Sequence, residues 1–169
     1  MTIAKLRLLV CAMIVASTGL AATASAETNG WYVEGQYLTF DVEGLVDLGA
    51  IGLVIGNNLA DNFAIEFHVG SGVGSDTVSG AIVELDEYRG VVVKPNMNIG
   101  ETVNIHVKMG RAYVSGKVKG GGFTIRDSSD GWVGGLGADI DFNDSVYGSI
   151  GYTIIDQTDY FNLGIGYRF

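Results

Sequence analysis

The feature that most restricts what this chain can become is a period of two that runs along nearly all of it after the first thirty residues. Phe63, Ile65, Phe67 and Val69 alternate with Ala64, Glu66, His68 and Gly70, and Val103, Ile105, Val107 and Met109 alternate with Asn104, His106, Lys108 and Gly110. Successive side chains of a strand point to opposite faces, so each run predicts a strand with one oily face and one polar or tiny face. The pattern returns at Ile51, Leu53 and Ile55 against Gly52, Val54 and Gly56, and at Leu136, Ala138 and Ile140 against Gly137, Asp139 and Asp141. It returns again at Val146, Ile150 and Tyr152 against Tyr147, Ser149 and Gly151. Two runs read less cleanly. Trp31, Val33 and Tyr37 oppose Glu34 and Gln36, but Leu38 and Phe40 change the phase, as a bulge would, and Val91-Val92-Val93 has no alternation of its own.

The first residues follow another rule. Lys5 and Arg7 precede an apolar run over 8–20, and small residues close on Ala24-Ser25-Ala26. That layout predicts a secretory signal peptide over 1–26, cleaved after Ala26, and a single mature domain over 27–169. The lone cysteine, Cys11, falls in the leader, so no disulfide is expected in the mature domain. Of the ten Lys and Arg, Lys5 and Arg7 are in the leader and no acid is, so the remainder carries eight basic against nineteen acidic residues, a formal charge of −11. Such an acidic domain is a poor match for nucleic acid. With 26 Gly, one Pro, 47% hydrophobic and only 17% charged residues, the whole chain is also oilier than an ordinary soluble protein. No mature segment is long and apolar enough for a spanning helix, so if a membrane hides the oily surface, a closed barrel is the remaining way to satisfy every backbone group.

About eight strands can be counted, joined by alternating short and long links. The links 57–62, 95–101 and 142–145 are rich in Asn, Asp or Gly and read as tight turns, Pro95 falling at a strand end. Longer links are expected over 41–49, 71–87, 114–131 and 153–160. The prediction is an all-β, eight-stranded antiparallel transmembrane β-barrel with short periplasmic turns and longer external loops. The interior separates this from a soluble ligand-carrying barrel. The polar faces collect Glu34, Gln36, Glu66, His68, Lys94, Asn104, His106, Lys108, Asp139, Asp141, Asn162 and Arg168, too polar a set for an apolar ligand cavity. The opposite faces hold one charge, Arg111 near a strand end, and Trp31, Tyr37, Tyr88, Trp132, Tyr152, Tyr160 and Tyr167 are placed as an aromatic girdle.

In the closing stretch FNLGIGYRF, Phe161, Leu163, Ile165, Tyr167 and Phe169 form one apolar row against Asn162, Gly164, Gly166 and Arg168, and the row ends on the last residue. This row resembles the C-terminal signature by which outer-membrane barrels are recognised by their assembly machinery. With the phrases LADNFAIE at 59–66 and GLGADIDFND at 135–144, the mature chain resembles the outer-membrane β-barrel family similar to the transmembrane domain of outer-membrane protein A and to outer-membrane protein X. The resemblance implies an outer-membrane location at the Gram-negative cell surface, contact with outer-membrane lipids and lipopolysaccharide, and insertion by the barrel-assembly machinery as a monomer. It does not extend to a peptidoglycan-binding domain, so a cell-wall tether is not implied.

In so narrow a barrel, side chains fill the lumen. An interior polar network of Glu34, Glu66, His68, Lys94, His106, Lys108, Asp139, Asp141 and Arg168 is therefore expected, structural in role. The alternative is a narrow porin-like channel along the same groups. His68 and His106 with Glu66 lack the spacing of a metal motif, and no metal or cofactor is expected. His68 and Ser71, three apart on a strand, would face opposite ways and make a poor catalytic pair. The glycine-rich stretch Lys117-Val-Lys-Gly-Gly-Gly122 lacks the strand-to-helix context of a phosphate loop and reads as an external loop whose Lys117 and Lys119, with Arg126, touch lipopolysaccharide phosphates. Acidic Asp76, Glu84, Asp86, Glu87, Asp156 and Asp159 would meet divalent cations or a host partner of unknown identity. A structural or surface-interaction barrel serving adhesion or envelope integrity is thus the favoured function, with a channel second and a lipid-modifying enzyme third.

Overall fold

The computed structural model describes residues 30–42, 46–78, 80–156 and 158–169. The expected leader over 1–26 lies outside them. Nine strands follow one another: β1 (Trp31–Val42), β2 (Val46–Ala60), β3 (Phe63–Gly72), β4 (Asp76–Val78), β5 (Ala81–Ile99), β6 (Val103–Gly120), β7 (Phe123–Asp141), β8 (Val146–Ile155) and β9 (Thr158–Arg168). Eight of them form an antiparallel barrel, each pairing with its neighbours in sequence, while β4 is a short ribbon on the start of β5. Two seams complete the ring. β1 pairs with β9 from Tyr32↔Arg168 to Val42↔Thr158, and β3 pairs with β5 from Phe63↔Pro95 to Gly70↔Tyr88. The last bond of the closing seam runs from the Phe169 N–H to the Trp31 carbonyl at 3.0 Å.

The alternation read from the sequence becomes the two sides of this wall. Ile51, Leu53, Ile55, Phe67, Val69, Ile105, Val107, Met109, Leu136, Ile150, Phe161, Leu163 and Ile165 are exposed on the outside, whereas Glu34, Glu66, His68, Lys94, His106, Lys108 and Asp139 are buried inside. No bulge interrupts β1: its pairing with β2 is continuous from Trp31↔Asn57 to Val42↔Val46. Leu38 and Phe40 keep the phase of Glu34 and Gln36, and what changes along the strand is the chemistry of the lumen. A polar layer nearer the chain ends gives way to an apolar one built on Leu38, Phe40, Leu48, Ala50, Leu85, Tyr88, Val92, Ala112, Val133, Ile155 and Tyr160. Tyr88 and Tyr160 therefore leave the expected girdle. Their hydroxyls meet at 2.9 Å inside, and the Phe40 ring lies 5.8 Å from Tyr88 and 4.9 Å from Tyr160.

The links keep their expected form at one end of the barrel and depart from it at the other. At the end carrying Trp31 and Phe169, turns are short, with only residues 61–62 between β2 and β3. At the far end, most of the stretches read as long links are strand. β6 and β7 run on as a hairpin with Gly121 and Gly122 alone between them, both at positive φ (56° and 84°), as a tight two-residue turn between twisted strands requires. Arg111 accordingly sits mid-strand. Pro95 lies inside β5, and the β5–β6 ladder lapses around it, resuming from Val93↔Met109 at Asn96↔His106, because proline has no N–H to give.

Two of the rings that cross the polar end of the narrow lumen are accommodated by a glycine on the next strand. Tyr32 is paired with Gly56, and Tyr147 with Gly166, and in both cases the ring lies where a glycine Cβ would be. Part of the high glycine content is thus the complement of the buried rings. Gly166→Val is expected to displace the Tyr147 ring and to destabilise the barrel by about 1–3 kcal/mol, read as a lower urea midpoint in a gel-mobility unfolding series. An unchanged midpoint would contradict this packing.

Candidate functional site

Glu66 on β3 organises the polar layer. It accepts from the Tyr32 hydroxyl at 2.7 Å and from His68 Nε2 at 2.8 Å, and its two oxygens face Lys94 Nζ at 3.2 Å and Lys108 Nζ at 3.0 Å. Lys94 also donates to Asp139 at 2.8 Å, which ties β5 to β7 across the lumen. Glu34 takes neutral donors instead: Gln36 Nε2 at 2.7 Å, the Tyr147 hydroxyl at 3.1 Å and the Ser149 hydroxyl. His106 is buried near Asp139, but its Nδ1 stays 3.6 Å from the nearer oxygen. Asp141 and Arg168 stand apart from this cluster. They pair with each other at 2.7 Å at the terminal mouth, both about 30% exposed, with the guanidinium 4.4 Å from the centre of the Tyr147 ring.

Tyr32, Tyr147 and Ser149 are members of this layer that were not singled out in the sequence. Their signal was available, since Tyr32 shares the phase of Glu34 and Tyr147 that of Ser149. Outside the layer, a polar vestibule of about 510 Å³ opens at the terminal mouth and is lined by Tyr32, Lys94, Asn104, Asp139, Tyr147 and Arg168 among others. Beyond the layer, the Phe40, Tyr88 and Tyr160 rings fill the lumen. The polar path therefore stops at a packed apolar core.

Other candidate chemistry is separated by the wall. His68 is buried against Glu66, while Ser71 is outside the lumen and donates to the Asp86 carbonyl at 3.1 Å, so no nucleophile and base meet there. Among the described residues no three His, Cys, Asp or Glu side chains converge as a metal cage.

At the far end β5, β6 and β7 rise past the rest of the barrel as a sheet. Pairing of β7 with β8 begins only at Val133↔Ile155, so residues 123–132 are bonded to β6 on one side and have no ladder on the other among the described residues. Each basic side chain on this sheet, and on the barrel wall at its base, has an acidic neighbour. Lys117 contacts Asp86, Lys119 donates to Glu84 at 2.6 Å, Arg126 lies 3.9 Å from Asp86, Arg111 donates to Asp130 at 2.6 Å, and Arg89 lies 3.4 Å from Glu87. Phe123 and Ile125 are exposed on it, at 76% and 65%.

Removing one partner from a buried ionic cluster strands the rest without compensation. Glu66→Ala would leave Lys94 and Lys108 facing an empty place, and a loss of about 3–5 kcal/mol is expected in the same urea series. Glu34→Gln, whose partners are all neutral, should cost clearly less. Equal effects would mean that Glu66 is not the organising group.

The sequence profile of the outer membrane protein beta-barrel domain family matches residues 8–169. Among curated proteins no sequence matches the chain. Solved structures with the same fold include Neisserial surface protein A, with a TM-score of 0.66 at 13% identity over 83% of this chain and 97% of that one. The N-terminal β-barrel domain of OprF from Pseudomonas aeruginosa superposes with a TM-score of 0.61 at 15% identity, over 82% of this chain and 97% of that one. Ail, the attachment invasion locus protein of Yersinia pestis, does so with a TM-score of 0.59 at 16% identity, over 82% and 96%. A closed barrel of alternating strands with an apolar outer face agrees with that match, and this chain belongs to the outer membrane protein beta-barrel domain family.

Proposed function

We propose that this protein is a surface-interaction barrel of the Gram-negative outer membrane, serving adhesion or envelope integrity through the sheet that β5, β6 and β7 raise beyond the barrel. The observation that carries the reading is the division of the molecule: a lumen filled by ionic and aromatic side chains, and a projecting sheet with an open edge over residues 123–132. A filled lumen favours a binding role over the narrow channel. An open edge offers unpaired N–H and C=O groups to an extended partner segment. The short-turn end then faces the periplasm, and the projecting sheet faces outward, in contact with lipopolysaccharide. Attachment is part of the name of Ail, whose fold this chain shares, and that likeness agrees with the reading.

Export through a signal peptide over 1–26 and folding of 27–169 as one barrel belong to the same reading. So does recognition of Phe161, Leu163, Ile165, Tyr167 and Phe169 by the assembly machinery. That row lies on the outer side of β9, and Phe169 packs edge-on against Tyr167 with ring centres 5.2 Å apart. Deleting Phe169 should reduce the amount of heat-modifiable, folded protein in the outer membrane more than it lowers the urea midpoint of the fraction that inserts. Insertion equal to that of the intact chain would refute an assembly role.

The function itself is tested by shortening the hairpin, removing residues 116–127 and joining Ser115 to Ser128 through Asn-Gly. The shortened protein should still fractionate with the outer membrane and show heat-modifiable mobility, while adhesion and serum survival of the cells fall several-fold. Unchanged adhesion and survival with the shortened protein in place would overturn the surface-interaction reading.

A further inference from the structure

The outer wall is apolar almost throughout, yet near its top it carries charge in two separate places. On one flank Asp47, Asp41 and Asp159 stand side by side on β2, β1 and β9. On the other, Arg89 of β5 and Arg111 of β6 are diagonal neighbours, since Arg89 is paired with Tyr113 and Arg111 with Val91. Among the described residues these are the two basic side chains on the barrel wall itself; Lys117, Lys119 and Arg126 belong to the projecting sheet and Lys94, Lys108 and Arg168 to the lumen and its mouth.

Both guanidiniums are held in place. Arg89 lies over the Tyr113 ring at 4.7 Å and Arg111 over the Trp132 ring at 5.3 Å. Each has one acidic partner, Glu87 at 3.4 Å and Asp130 at 2.6 Å, and each side chain remains more than half exposed. A guanidinium has five N–H donors, so most stay free, and exposed pairs of this kind exchange readily. Around them the wall has a shallow depression of about 390 Å³, lined by Phe67, Val69 and Val91 as well as by the two arginines, Tyr113 and Asp130. Arg111 is eight residues up β6 from Val103, about 20 Å along the membrane normal at ~3.3 Å per residue and a tilt of ~40°, which is near the top of a ~25 Å apolar band.

We propose that Arg89 and Arg111 form a binding site for the phosphorylated headgroup of an outer-leaflet glycolipid, with an acyl chain lying against Phe67, Val69 and Val91. The apolar lining suits an acyl chain, and the planar guanidiniums at interface height suit the phosphate. The acidic flank of β2, β1 and β9 disfavours the same headgroup there, so the lipid is bound on one side of the barrel only. The site rests on the reading that the projecting sheet faces outward.

The test uses the full mature barrel in phosphatidylcholine nanodiscs, with lipid A, dephosphorylated lipid A or inorganic phosphate added and retained lipid counted by native mass spectrometry. The intact protein should retain lipid A, and R89Q/R111Q should lose about tenfold in apparent affinity while keeping its heat-modifiable mobility. K117Q/K119Q/R126Q should retain it as the intact protein does. Equal retention by R89Q/R111Q, equal retention of dephosphorylated lipid A, or displacement by inorganic phosphate alone would each overturn the proposal. Protease cleavage of the β6–β7 hairpin on intact cells reports orientation separately: protection there would remove the outward reading without bearing on the affinities.

Discussion

Hydrocarbon offers a backbone N–H or C=O nothing to bond to, and each unsatisfied group costs several kcal/mol. The β1–β9 seam is where this chain meets that constraint, with an unbroken run of pairs from Tyr32↔Arg168 to Val42↔Thr158 and a last bond from Phe169 to Trp31. Without it, two strands would present open edges to lipid. With it, the wall has eight strands, and eight strands enclose a space that side chains must fill. The oily exterior, the crowded interior and the glycines opposite Tyr32 and Tyr147 all follow from closing a sheet of this width.

The interior answers the crowding in two ways. Near the chain ends, Glu66 gathers Tyr32, His68, Lys94 and Lys108, and Lys94 reaches on to Asp139, so charge is matched by charge among buried side chains. Toward the far end, Phe40, Tyr88 and Tyr160 pack with aliphatic neighbours as in the core of a soluble protein. The change from one layer to the other occurs within single strands, between Gln36 and Leu38 on β1 and between Lys94 and Val92 on β5. Outside this filled lumen, β5, β6 and β7 stand clear of the wall.

Strand number, the closing row and the side of the wall on which Glu66, His68, Lys108 or Ile105 lies were legible in the sequence, because a period of two assigns faces without knowledge of any partner. What the sequence did not reveal depends on neighbours. Leu38 and Phe40 read as a change of phase because the lining of the lumen turns from polar to apolar along β1 while the phase is kept. Tyr88 and Tyr160 read as girdle aromatics because a tyrosine near a strand end looks the same whether it faces lipid or lumen. The 114–131 stretch read as a loop because its glycines and charges mask a hairpin that pairs along β5, where Lys119 meets Glu84. Adjacency of Arg89 and Arg111, twenty-two positions apart, appears only once β5 and β6 are set in register.

All of this depends on the wall having lipid on one side and packed side chains on the other. Single nitroxide labels at successive positions from Ile105 to Met109 of β6, in the refolded protein in a bilayer, measure that directly through collision with oxygen and with a water-soluble nickel chelate. Labels at 105, 107 and 109 should be mobile and oxygen-accessible, and those at 106 and 108 immobile and shielded from both reagents. Equal accessibility along the run, or chelate access at 106 and 108, would contradict a closed barrel with a filled lumen.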